Sequence, residues 1–291
     1  MNNKYLELYK AFYKVSNPNN LEEAIEYFGV FGGLDEELDT DVHILDLIEE
    51  NILDNYKHFH ARIMEVTNGD ALYHSLLSGL STGDRRLHSA YKRSKMSEDV
   101  GSDVINFLVQ NDMITLENST ALIKQRSGEK HSLSEKALFT SPFLRFWFSF
   151  VSPLFKGVSI GNYGEVDTRF SNRRSEFIDL TFELLSRELL KLSFAEDDEI
   201  VEIGSYWDAE MEIAIVAKTK SGKTIVAECK YTSSKMKKTE LTKLQSKCEL
   251  LGFEPDIYAL FSKSGFTNEL KGMKGEKLKL FSLKNFKKLS E

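Results

Sequence analysis

Cysteine is nearly absent from the 291 residues, with only Cys229 and Cys248 present. Two thiols make neither a disulfide framework nor a zinc quartet, so a reducing, cytoplasmic compartment is expected. Proline is scarce at four residues, which excludes Pro-rich linkers. No run of eighteen apolar residues occurs, and the N-terminal MNNKYLELYK lacks the apolar stretch of an export signal. Neither a membrane span nor secretion is expected. Aromatic rings, by contrast, are plentiful. Twenty Phe and eleven Tyr predict an aromatic-rich core, and 41% apolar with 29% charged residues suits a packed chain rather than a disordered one.

The net charge of −7 is unevenly spread. Residues 1–50 hold 3 basic and 12 acidic side chains, whereas residues 201–291 hold 17 basic and 12 acidic. Arg85, Arg86, Lys92, Arg93 and Lys95 form a basic segment without an acid. Phosphate binding needs a local patch, not a basic average, so an acidic chain can still meet nucleic acid.

Hydrophobic spacing predicts an α+β chain in three consecutive parts. Residues 1–66 read as helical, with Phe28–Gly33 as a turn and one long pattern from Asp39 to Val66. Residues 67–140 read as three short helices and a hairpin, the order of a winged helix, with Ser97-Glu98-Asp99 capping the third helix. Residues 141–291 begin at Ser141-Pro142 with the aromatic run Phe143–Phe150. A helix over Ser175–Leu192 follows. Strands come next over Ile200–Tyr206, Glu210–Lys218 and Thr224–Tyr231, then a helix over Lys237–Leu251. Further strands are expected at Asp256–Ser262 and Lys277–Ser282. A mixed sheet flanked by helices is expected.

Familiar phosphate loops fail on inspection. Ser221-Gly222-Lys223-Thr224 has Ala217 where a P-loop needs its first glycine, and it leads into a strand. The histidines are read as structural or surface residues. The sharper signal is Glu228-Cys229-Lys230. In a strand Glu228 and Lys230 share a face, and a carboxylate beside an amine at a strand end is costly unless paired or used. Used, the carboxylate holds Mg²⁺ or Mn²⁺ and the lysine assists a water or a phosphate. Glu210 and Glu212 on the preceding strand are the candidate further acids.

These stretches, taken in order, resemble the PD-(D/E)xK nuclease superfamily. More specifically, residues from about 135 to 291 are similar to domain-of-unknown-function family 234, usually the C-terminal part of archaeal and bacterial ATPases after a winged helix. The resemblance rests on Ser141-Pro142-Phe143-Leu144-Arg145-Phe146-Trp147-Phe148, Phe182-Glu183, Gly204-Ser205-Tyr206-Trp207, Glu212–Ala217 and Glu228–Tyr231. It implies a restriction-endonuclease-like core without the ATPase. Glu183 would be the helical acid, Glu228 a metal ligand and Lys230 the catalytic lysine, with Glu212, on the same strand face two residues before position 214, as the substitute second ligand. Ala214 stands where the family pattern has the principal metal-binding Asp. Two functions are therefore expected as alternatives. One is metal-dependent phosphodiester hydrolysis. The other is an inactive nuclease-fold module that binds nucleic acid, DNA above all, or docks to a separately encoded ATPase. In both, Arg85–Lys95 together with Lys235, Lys237 and Lys238 would contact phosphates. A helical interaction protein without nucleic-acid binding is the third alternative.

Overall fold

The computed structural model of the chain describes residues 4–34, 36–124 and 134–291. The described residues fall into two compact units. A helical unit comprises residues 11–117 and 134–174, and a sheet unit comprises those of 1–10, 118–133 and 175–291. The fold is α+β, a helical N-terminal half followed by a five-stranded mixed sheet with flanking helices.

α1 (Lys4–Ser16), whose residues from Ala11 belong to the helical unit, leads into α2 (Leu21–Phe31). Asn20 caps α2 by accepting from the Glu22 and Glu23 amides, each at 3.0 Å. The expected turn at Phe28 begins only at Gly32, because Phe28, Val30 and Phe31 are all buried and hold the helix through Gly29. Gly33 has φ +93°, and a Cβ there would lie 2.6 Å from the Ser141 Cβ. The close approach lets the Phe143 amide donate to the Gly32 carbonyl at 3.0 Å. The single pattern expected over Asp39–Val66 is three pieces: α3 (Ile44–Ile48), a π-helical Glu49–Leu53, and α4 (Tyr56–Val66).

α5 (Ala71–Leu80), α6 (Leu87–Ser94) and α7 (Glu98–Gln110) precede the antiparallel pair β1 (Ile114–Glu117) and β2 (Lys136–Phe139). Residues 125–133 of their connection lie outside the described residues. Ser97 caps α7 as predicted, accepting from the Val100 amide at 3.4 Å. Gly101 lets α6 and α7 approach, since a Cβ there would meet the Tyr91 ring at 2.4 Å. The exposed side of α7 carries Glu98, Asp99 and Asp103, and the helix has no cation.

The predicted boundary at Ser141-Pro142 is the cap and first residue of α8 (Pro142–Phe146). The aromatic run continues as a π-helical Trp147–Val151. Phe146, Trp147, Phe148 and Phe150 are all buried. Trp147 stacks on Tyr56 with ring centroids 5.6 Å apart, so the run is core. α9 (Phe155–Val158) follows, then the long α10 (Gly164–Phe194), whose residues from Ser175 belong to the sheet unit.

The sheet unit orders its strands β3 (Ile200–Trp207), β4 (Glu212–Thr219), β5 (Thr224–Lys230), β6 (Ile257–Ser262) and β7 (Leu278–Ser282). β3, β4 and β5 are antiparallel neighbours, while β5, β6 and β7 run parallel. Parallel pairs require crossovers, supplied by α11 (Lys238–Leu250) and α12 (Asn268–Gly272). The predicted β4–β5 hairpin turns at Gly222, φ +95°. One sheet face packs Val216, Val226 and Leu260 on Leu241, Leu244 and Cys248 of α11. On α10, Phe182 stacks on Phe286 at 4.8 Å and lies against Tyr231 at 5.3 Å.

β4 is not a regular strand. Val216 pairs with Gly204 and Ile213 with Tyr206, so three steps on β4 match two on β3. Ala214 and Ile215 therefore oppose Ser205 in a bulge. Ile213 and Val216, three residues apart, consequently share the α11-side core. A segment that precedes this unit's helix in sequence also seats itself on the edge strand. The Thr120 amide donates to the Ser205 carbonyl at 2.8 Å, and the Trp207 amide donates to Ser119 Oγ at 3.0 Å.

Candidate nucleic-acid interface

β5 divides its side chains between two helices. Cys229 faces α10, where burial first, and the Glu183 charge second, push its thiol well above the ordinary range. A thiol so placed stays protonated and unreactive. Glu228 and Lys230 alternate to the other face, as predicted, and meet α11. Glu228 accepts from Lys247 Nζ at 3.3 Å, and Lys230 Nζ lies 3.6 Å from Glu240.

The helical acid Glu183 is paired within its own helix. Arg187 Nη2 donates to it at 2.7 Å and also reaches the Ala214 carbonyl at 3.3 Å. Glu212 is half-buried, and its backbone carbonyl accepts from Lys247 Nζ at 2.8 Å. With Ile213 turned into the core, strand alternation directs Glu212 to the opposite face from Ile213. Glu210 lies ahead of β4, in a turn organised by Asp208, whose carboxylate accepts from the Glu210 and Met211 amides.

A divalent cation needs several oxygens converging on one point. Among the described residues no group of three or more His, Cys, Asp or Glu is arranged that way. Glu183 and Glu228 are each matched by a cation of the chain, Arg187 and Lys247. The residues as arranged do not fit Mg²⁺ or Mn²⁺.

What gathers instead is positive charge. The connection from β5 to α11 bends over the C-terminal end of the parallel strands. It is pinned to the loop after β6. The Met236 amide donates to Gly265 O at 2.8 Å, Thr267 N to Met236 O at 3.1 Å, and Ser264 Oγ to Thr232 O at 2.6 Å. Lys263 caps the Tyr231 ring at 4.4 Å. The bend encloses a cleft of about 370 Å³. Its walls include Lys230, Lys235, Lys237 and Lys243, the hydroxyls of Thr232, Ser234 and Thr239, and a single acid, Glu240. Lys237 occupies the cap position of α11 without a side-chain cap; the Glu240 amide donates to its carbonyl at 3.0 Å, and among the described residues the Lys238 and Thr239 amides are left open to an acceptor. Lys238 is turned away, 3.2 Å from Glu269.

Glu240 sets the resting state of the cleft. Burial works to raise its carboxyl, but the hydrogen bond from Lys243 and the charges of Lys230 and Lys243 hold it below its ordinary range. A depressed carboxylate adds stability above its unfolded value, about 4.5, and loses it as pH falls through the folded value. Thermal melting should therefore drop more steeply below pH ~4.5 in the wild type than in Glu240→Gln. Parallel pH profiles would remove Glu240 from this role.

The basic segment of the helical unit is put to mixed use. Arg85 is buried and lies 3.6 Å from Glu117. Arg93 donates to the Gly79 and Thr82 carbonyls and lies 3.4 Å from Asp84, tying α6 to the α5 turn. Arg86 is half-buried beside β2, whereas Lys92 and Lys95 are exposed. The structure does not bring all five cations to one surface.

Two residues of this region, Asp179 and Asp208, escaped sequence reasoning. Asp179 accepts from the Tyr231 amide at 3.1 Å. Asp208 is buried and also accepts from Tyr206 Oη at 2.9 Å. The four-residue spacing of Asp179, Glu183 and Arg187 was a visible signal of one helix face. Asp208 had the signal of a turn-forming acid ahead of two exposed residues.

No curated protein matches the chain. A solved structure, that of protein VC1899 from Vibrio cholerae, is similar at 14% identity with a TM-score of 0.26. The match covers 77% of this chain and 51% of that one, so the chain spans about half the length of that protein. Residues 147–243, from the aromatic run to the first turns of α11, match the model of the family DUF234, archaeal and bacterial proteins of unknown function.

Proposed function

We propose that the sheet unit is a nucleic-acid-binding module of nuclease-like descent that grips backbone phosphates without cleaving them. The observation that carries this reading is the four-lysine cleft at the start of α11. Four ammonium groups, three hydroxyls and the open first amides of a helix suit the oxygens of a phosphodiester. Lys230, the lysine of the Glu-x-Lys pair, is part of this wall. Hydrolysis is the weaker reading because the acids a metal would need are matched by Arg187 and Lys247 and because Ala214 brings no carboxylate. The order of three helices and a hairpin in residues 71–139 supports a winged-helix reading of that part. The acidic exposed side of α7 favours a protein partner there over DNA, and an ATPase encoded separately suits the resemblance.

The test is anisotropy with labelled single- and double-stranded DNA and RNA across a salt series. Binding should weaken steeply with salt, and Lys235→Ala/Lys237→Ala should flatten the logarithmic slope by roughly 1–2 for the two lost contacts. Lys92→Ala/Lys95→Ala provides the comparison from the helical unit. An unchanged affinity and slope in the first double variant would overturn the reading. Cleavage of plasmid DNA with Mg²⁺ or Mn²⁺ that disappears in Lys230→Ala would replace it with the hydrolytic one.

A further inference from the structure

The helical unit contains a second cavity, of about 350 Å³, and its chemistry is unlike the lysine cleft. No Lys, Arg, Asp or Glu lines it. Its walls combine rings with small polar side chains, among them Tyr56, His60, His74, Ser75, Ser78 and Phe155. Pockets of this size are at the small end of those that take low-molecular-weight ligands.

His74 has a defined tautomer. Thr67 Oγ1 donates its one proton to the Ile63 carbonyl at 2.7 Å. The contact of 2.8 Å between Thr67 Oγ1 and His74 Nε2 must then be donated by the imidazole. Neutral His74 therefore keeps its lone pair on Nδ1. Among the described residues Nδ1 has no hydrogen-bond partner, and the same holds for Tyr56 Oη and the hydroxyls of Ser75 and Ser78. Tyr56 is itself buried, its ring sandwiched between His60 at 5.1 Å and Trp147 at 5.6 Å. The stack fixes the direction of its hydroxyl. His74 and Ser78 are half-buried and Ser75 is exposed; buried or half-buried polar atoms that the chain leaves unmatched belong beside water or a ligand that matches them.

We propose that this cavity binds an uncharged nucleobase, with His74 Nδ1 accepting from a ring or exocyclic N–H, the Tyr and Ser hydroxyls matching the remaining edge, and Phe155 covering the ring. With no Lys or Arg in its walls, the cavity offers a phosphate no permanent cation. A flat heteroaromatic with donors and acceptors on one edge satisfies both the ring walls and the unmatched polar atoms. The base can arrive as a free nucleoside or as an unpaired base of a strand.

Burial, and next the His60 charge, lower the His74 pKa against the opposing pull of Asp70. Those two groups, Thr67 and the Phe148 ring, edge-on at 5.7 Å, face the imidazole. Protonation removes the Nδ1 acceptor, so affinity should be constant above pH ~6.5 and fall below the depressed value.

Calorimetric titration of the full chain with adenosine, guanosine, cytidine, uridine and thymidine tests the proposal. At least one should bind at one site per chain, about tenfold more weakly in His74→Phe and in Ser78→Val, and more weakly at acid pH in the wild type. A heptameric single strand of the preferred base, added after nucleoside saturation, separates the sources. Displacement of the nucleoside indicates a strand base, and its retention a free ligand. Absence of binding by all five nucleosides and by the strands, or binding indifferent to both substitutions and to pH, would overturn the assignment.

Discussion

Trp147→Ala should destabilise the helical unit by about 3–5 kcal/mol. The ring is almost completely buried, stacks on Tyr56, and meets Phe59 at 6.2 Å and Phe143 at 6.1 Å. Removing it leaves a void among rings that cannot collapse without breaking several contacts together. Chemical denaturation followed by circular dichroism would read the loss. A cost below about 1 kcal/mol would mean that the aromatic run is not the keystone of this unit's core. Trp147→Phe should recover most of the stability, because it keeps a ring against Tyr56.

Arg187→Leu should be nearly as costly, by about 3–5 kcal/mol, and should be largely rescued in Glu183→Leu/Arg187→Leu. Both side chains are mostly buried, at 10% and 16% exposure, so neither can turn to water when its partner is lost. The rescue distinguishes two roles for Glu183. A structural counter-ion becomes dispensable once Arg187 is gone. A carboxylate kept for a metal would instead be released by Arg187→Leu, and Mg²⁺ would then raise the melting temperature of the single variant. Stabilisation of Arg187→Leu by Mg²⁺, absent from the double variant, would return Glu183 to the hydrolytic reading.

Much of the sheet was legible because its signals are local. Val216, Val226 and Leu260 sit in strands with β-type patterns, and Lys220-Ser221-Gly222-Lys223 is a turn between two of them. The Glu228–Lys230 pair was legible for the same reason, since alternation alone puts both on one face. Their partners were not legible, because Lys247 and Glu240 come from α11 and depend on how that helix crosses the sheet. The length of α2 was hidden by Gly29, Gly32 and Gly33, whose turn propensity yields to burial at Gly29. The docking of Ser119 and Thr120 on β3 is a contact across more than eighty residues, with nothing in its own composition to announce it. In the basic segment, charge was legible but geometry was not. Arg85 and Arg93 read as surface cations and serve as internal ties.

The extra residue in β4 has a consequence for how such motifs are compared. A regular strand keeps parity, with odd positions on one side and even positions on the other. Between Ile213 and Val216 that parity is reset, so letters two apart in the sequence no longer point the same way. Position 214 lies inside the reset. A carboxylate placed there is aimed by the kink in the backbone and not by the count along the strand. Correspondence at this point of the fold is therefore a matter of backbone phase, and matching letters can stand on opposite sides of the same sheet.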